Sequence, residues 1–231
     1  MSSHPLTPLV PGLIWRRAHA MRGLGIDFLT HMTVVKLRSG GLWIHSPVRF
    51  DEALKAEIDQ LGPVRCIVAP NKGHHCYAGP WLTAYPEAVG VGAPDLAKKR
   101  PDLRLSRVLS STPEPEWAED FEQVLVRGVP QINETVFFHR SSRSLIITDL
   151  MSNFRPGGNW LRRMAMRTLW SSDKLSVPLV VRLMLRDRAG FREDVARISA
   201  WPFERILLTH EMTIEQNAAA QWRQALAFLD K

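Results

Sequence analysis

Residues 64–70, VRCIVAP, form an apolar run broken only by Arg65, and they lead into the loop NKGHHCYAGP (71–80). A short run of this kind reads as a strand buried on both faces, and a strand covered on both sides belongs to a sheet with helices on it. Immediately upstream, DEALKAEIDQLG (51–62) places Leu54, Ile58 and Leu61 on one helical face, with Asp51 and Glu52 at its start and Gly62 at its end. Before it, MTVVKL (32–37), the turn RSGG (38–41) and LWIHSPV (42–48) read as a hairpin. Downstream, a short helix around WLTAYP (81–86) leads to a strand, AVGVGAP (88–94).

The second half repeats the logic. A polar, proline-containing stretch (110–120) connects to a strand at 121–128, then to a hairpin of ETVFFH (134–139) and SLIITDL (144–150) about the turn RSSR. Residues 157–190 read as helical and divided by Pro178, and 192–201 as a further helix. RILLTH (205–210) reads as a buried strand and 213–231 as a closing helix capped by Thr213. Each half thus offers a mixed sheet with helices on one side. The expected fold is one α/β domain over residues 1–231, with two mixed sheets face to face and helices outside.

Length and composition agree. The chain has 231 residues, 45% of them hydrophobic, enough for one well-buried core. The longest apolar stretch, VPLVVRLMLRD (177–187), is interrupted by Arg182, far short of the roughly 20 residues of a bilayer span. The N-terminal residues lack the charged start and cleavage site of a signal peptide. Cys66 and Cys76 are too few for a disulfide framework. A reduced, cytoplasmic protein is expected. The formal charge of +7 is uneven: residues 155–192 hold nine Lys and Arg against Asp173 and Asp187. This basic helical insertion, at about 155–200, would suit an anionic partner or a peripheral membrane contact. No nucleic-acid motif with interleaved basic and aromatic residues is present.

Chemistry-bearing residues collect at strand ends, where open α/β folds place their sites. His74 and His75 follow the strand at 64–70, and Asp149 stands near the end of 144–150. His210 closes 205–210, and Glu134 begins 134–139. Imidazole and carboxylate together suit zinc, iron or manganese. The other five histidines read as packing or surface residues.

The runs VRCIVAPNKGHHCYAGPWLTAYPEAVGVGAPDLAKK, ETVFFHRSSRSLIITDL and ILLTH resemble the DUF4336 family, itself similar to the metallo-β-lactamase-fold hydrolases. The resemblance spans roughly residues 25–230 and implies an αββα sandwich with its site at one edge of the two sheets. The metallo-hydrolase motif His-x-His-x-Asp-His then falls on Pro70, Lys72, His74 and His75. Its next histidine falls near Glu134, its bridging aspartate on Asp149 and its last histidine on His210. Pro70 and Lys72 cannot serve one of the two metal positions. An ion pair between Lys72 and Glu134 is expected in its place. His74, His75, Asp149 and His210 would hold one divalent metal, zinc foremost and iron or manganese as alternatives.

The expected function is mononuclear metal-dependent hydrolysis of an ester, thioester or phosphoester in a small-molecule substrate, with the basic segment favouring an anionic one. Asp149 or a metal-bound water would act as base, and Lys72 or a nearby Arg would stabilise the developing anion, with Asn71 nearby. The alternatives are a metal-free pseudo-enzyme that binds a ligand or partner, and a peripheral binder acting through the basic segment.

Overall fold

The computed structural model describes residues 5–23, 26–153, 174–210 and 213–230. Two mixed sheets carry the fold. The first has seven strands in sequence order: β1 (Thr7–Val10), β2 (Ile14–Gly23), β3 (Ile26–Lys36), β4 (Leu42–His45), β5 (Val64–Ala69), β6 (Val89–Gly92) and β7 (Arg107–Val108). β1 to β4 are antiparallel, and β4 to β7 run parallel. The second sheet has four strands in the order β11-β10-β9-β8: β8 (Phe121–Leu125), β9 (Thr135–His139), β10 (Ser144–Ile147) and β11 (Arg205–Leu208). Only β10 and β11 pair in parallel there.

Strand alternation explains the layers. Val35, Trp43, Cys66 and Val68 point from the first sheet onto Phe121, Phe137, Ile146 and Leu207 of the second. Trp43 lies with its ring centroid 4.6 Å from Phe121 and 5.0 Å from Phe137. The opposite face of the first sheet, with Met32, Val34, Ile44 and Ile67, is covered by α1 (Glu52–Asp59) and α2 (Ala78–Ala84) through Leu54, Ile58, Trp81 and Leu82. A short helix, α3 (Leu96–Lys99), follows β6, and α4 (Leu179–Leu183) precedes the long helix α5 (Arg188–Ser199). On the second sheet, Val136, Phe138, Leu145 and Ile147 meet α5 and α6 (Ala218–Leu226) through Val195, Ile198 and Trp222. The order is helix, sheet, sheet, helix, as expected.

Caps fix where helices begin. Asp51 Oδ1 accepts from Leu54 N at 2.7 Å and starts α1; Asp187 Oδ1 accepts from Gly190 N at 2.8 Å and starts α5. Thr213 does not cap the last helix, correcting that expectation. Ile214 instead exchanges backbone hydrogen bonds with Ile206 beside β11, and the helix begins only after Asn217. Pro178 opens α4, and Ser176 just before it is paired with Ser152 in an extended bridge; the part of the expected helix at 157–173 lies outside the described residues. Residues 154–173, which hold four of the nine cationic residues of the basic run (Arg155, Arg162, Arg163 and Arg167), lie outside the described residues. β1 and β2, unanticipated, add an antiparallel ribbon to the first sheet.

Two links between the sheets prepare the site. Thr135 N donates to Pro70 O at 3.0 Å and Lys72 N to Ile132 O at 2.9 Å, clamping the loop after β5 to the start of β9. β4 stops at His45, opposite Thr33, while β3 extends back to Ile26. The vacated edge takes the chain after β11: His31 N donates to Thr209 O at 2.8 Å, and Thr30 bridges His210.

Candidate metal centre

Three side chains converge where these links meet. His74 Nε2 lies 3.1 Å from His210 Nε2, and Asp149 Oδ1 lies 3.4 Å from the first and 3.3 Å from the second. Each imidazole is held from behind. Ser46 Oγ is 2.7 Å from His74 Nδ1. His210 Nδ1 lies 3.3 Å from Leu29 O, and a carbonyl only accepts, so the proton of neutral His210 sits on Nδ1 and its Nε2 lone pair faces the cluster. Two ring nitrogens and a carboxylate oxygen aimed at one point fit a divalent ion of intermediate softness.

The backbone around the cluster is specialised for this aim. Ser46 is left-handed, at φ 53°, a conformation that costs a non-glycine residue on the order of 1 kcal/mol and turns its hydroxyl toward His74. Asn71 is fully buried and joins both halves of the site. Its Oδ1 accepts from Gly73 N and His74 N, both at 2.8 Å, and its Nδ2 donates to Thr148 Oγ1 at 2.8 Å and Asp149 Oδ2 at 2.7 Å. Gly73 passes so close that a Cβ there would stand 3.2 Å from Asp149 Oδ2.

Glu134 is buried beneath Asp149. Its carboxylate accepts from Thr148 N at 2.7 Å, Asp149 N at 2.7 Å and Leu150 N at 2.9 Å, so it folds the turn that presents Asp149. Burial and then the charge of Asp149 push the Glu134 carboxyl up to about 7, against the pull of its hydrogen bonds to Thr148 and Asp149. Burial would also raise Asp149, but the charges of His74 and His210 and their hydrogen bonds hold it well below the usual carboxylate range. Asp149 is therefore an anion at neutral pH, with one oxygen on Asn71 and the other facing the imidazoles.

Three expectations are corrected by this geometry. Lys72 and Glu134 do not pair: Lys72 Nζ donates to Pro130 O at 2.9 Å and Asp95 Oδ2 at 3.3 Å, while Glu134 is committed to backbone N–H groups. Lys72 is also absent from the pocket wall, so its suggested role toward a developing anion has no geometric support. His75 turns away from His74. Its Nδ1 accepts from Arg100 at 3.0 Å, and burial followed by the charges of Lys99 and Arg100 lowers its pKa, keeping it neutral. Consecutive residues in this loop point apart, so the residues that converge are His74, Asp149 and His210.

The cluster lies in a pocket of about 190 Å³ with Met21 and Phe28 of the β2–β3 ribbon, Tyr77 and Cys76 in its wall. Phe28 packs edge-on to His210 at 5.3 Å. No Lys or Arg lines it among the described residues. Sequence reasoning missed Ser46 and the ribbon residues. Ser46 sits in a run, LWIHSPV, that reads as unbroken strand; only the following proline hints at a turn.

Two mixed sheets packed face to face under outer helices, with histidines and an aspartate gathered at one edge, define the metallo-β-lactamase fold. The metallo-β-lactamase from Pontibacter korlensis superposes with a TM-score of 0.66 at 12% identity, over 98% of each chain. TMB-1 does so with 0.68 at 10% identity over 100% of each. FIM-1 from Pseudomonas aeruginosa, in its mono-zinc form, gives 0.64 at 13% identity, over 99% of this chain and 96% of that one. Identities this low establish the fold alone. The model of the family described as Domain of unknown function (DUF4336) matches residues 14–156, and the chain belongs to that family. No curated protein matches the chain in sequence.

Proposed function

We propose that this protein is a mononuclear metal-dependent hydrolase that holds one divalent ion, zinc foremost, on His74 Nε2, Asp149 Oδ1 and His210 Nε2. The observation that carries the proposal is the convergence of those three atoms, each ring fixed from behind by Ser46 or Leu29 O. Histidine ligands in metal sites use their second nitrogen in this way. When bound, the ion supplies Lewis acidity toward a carbonyl or phosphoryl oxygen.

The chain's own residues do the rest. Asn71 and Glu134 fix the carboxylate against the loop that carries His74. Asp149, anionic and with both oxygens engaged, serves as a ligand in preference to the general base. Met21, Phe28 and Tyr77 give the pocket an apolar wall suited to an acyl group. With no Lys or Arg on the described wall, a carboxylic ester or thioester is favoured over a phosphoester.

Zinc-loaded protein should hydrolyse a chromogenic aryl ester or thioester faster than it does an aryl phosphate. His210→Ala should lose more than the about 10–100-fold that removal of a supporting residue costs. Turnover unchanged in His210→Ala would refute the assignment. Metal bound without turnover of any of the three probes would leave the pocket as a ligand-binding site and overturn the hydrolase reading.

A further inference from the structure

On the other side of the β2–β3 ribbon lies a second pocket, of about 250 Å³, lined by Thr7, Arg16, Ala18, His31 and Thr213 with Pro5, Pro8 and Leu9 at its apolar rim. Residues alternate along β3, so Thr30 faces the metal pocket and His31 faces this one. The two share no lining residue.

Arg16 is the reason to regard it as a site. Its guanidinium donates to Thr213 Oγ1 at 2.7 Å and to Leu208 O, both neutral acceptors. Its Nε–H is buried and unpartnered. Among the described residues no carboxylate stands within ion-pair distance of it. Five N–H donors are available and two are used. Burial lowers its pKa to about 10, which leaves it charged at neutral pH. A half-buried cation with no counter-charge among the described residues and with spare planar donors matches a bidentate oxyanion. Thr213, whose oxygen accepts from Arg16, keeps its own O–H to donate.

We propose that this pocket binds a small oxyanion group, a phosphate or a carboxylate, on Arg16 and Thr213, with any short apolar remainder against Pro5, Pro8 and Leu9. The site is independent of the metal centre. Arg16 holds Leu208 and Thr213, which stand on either side of His210 in the chain.

The pairing of β1 with β2 supplies a clean test, because Thr7 stands directly opposite Arg16 on the edge strand. Thr7→Asp would deliver an internal carboxylate to the guanidinium. Chelator-treated protein should show a saturable rise in melting temperature with inorganic phosphate or acetate, at matched ionic strength, with a midpoint on the order of 1 mM. A response to phosphate alone assigns a phosphoryl group, and one to acetate alone assigns a carboxylate. The response should disappear in Arg16→Gln and in Thr7→Asp, which should itself melt higher, and should persist in His74→Ala. If Arg16→Gln fails to fold, Thr7→Asp decides. No saturable response to either anion, a response that survives Thr7→Asp, or one that vanishes in His74→Ala would overturn the proposal.

Discussion

Glu134 organises the site from beneath it, outside the group of side chains that converge. Three consecutive backbone N–H groups, from Thr148 to Leu150, end on its carboxylate. Glu134→Gln would turn an amide NH2 toward donors already pointing inward. Urea denaturation should show a loss of about 1–3 kcal/mol, and metal affinity should fall about 10–100-fold with it. His139 offers a separate test through pH. It is fully buried, Ser142 Oγ lies 2.7 Å from its Nδ1, its Nε2 has no partner, and burial lowers its pKa from 6.5 to about 4. Its neutral form is the folded form, so the unfolded chain takes up the proton first as pH falls. The stability from His139 is complete above pH 6.5 and is lost between 6.5 and about 4, by roughly 3 kcal/mol. His139→Gln should remove that part of the pH dependence when melting curves of the two proteins are compared.

At the scale of elements, the strands that build the centre could be read in advance because burial writes itself into them. VRCIVAP and RILLTH are apolar runs: the first is the interior strand β5, at Val64–Ala69, and the second is β11, at Arg205–Leu208, an edge strand of its sheet whose residues are nonetheless mostly buried. β2 escaped because its sequence, IWRRAHAMRG, has one β-branched residue, and its arginines find partners only in the folded chain: Arg16 on Thr213 and Arg17 on Asp51 and Glu57. Propensity could not reveal a strand that tertiary contacts hold. The His74–His75 pair was legible as a site but not as a geometry, since the turn at Gly73 decides which ring faces Asp149. Packing of the parallel strands is tight enough to test. A Cβ on Gly90 of β6 would press against Arg104 O and stand 2.8 Å from Leu82 Cδ2. Gly90→Ala should cost about 1–3 kcal/mol in chemical denaturation, with α2 displaced from the sheet.

For the whole molecule, periodicity and run length were enough to expect two mixed sheets inside two helical layers, and the three core layers have that arrangement. What sequence could not supply was the joint between the sheets. His210 reaches Asp149 only because β4 ends at His45 and leaves the edge of β3 to Thr209 and His210. That depends on where one strand stops, which no pattern in the strand itself records. No helix among the described residues is long and apolar enough to cross a membrane. The joint would also make the proposed metal binding a property of the folded state, since His74, Asp149 and His210 are 75 and 61 residues apart along the chain (74 to 149 to 210). Zinc should therefore raise the melting temperature of the intact protein. Metal stoichiometry after loading and dialysis reads the proposed three-residue ligand set without relying on turnover. One zinc per chain is expected in the native protein and in His75→Ala, and none retained in His210→Ala. No retained zinc, iron or manganese in the native protein, or loss in His75→Ala with retention in His210→Ala, would contradict it.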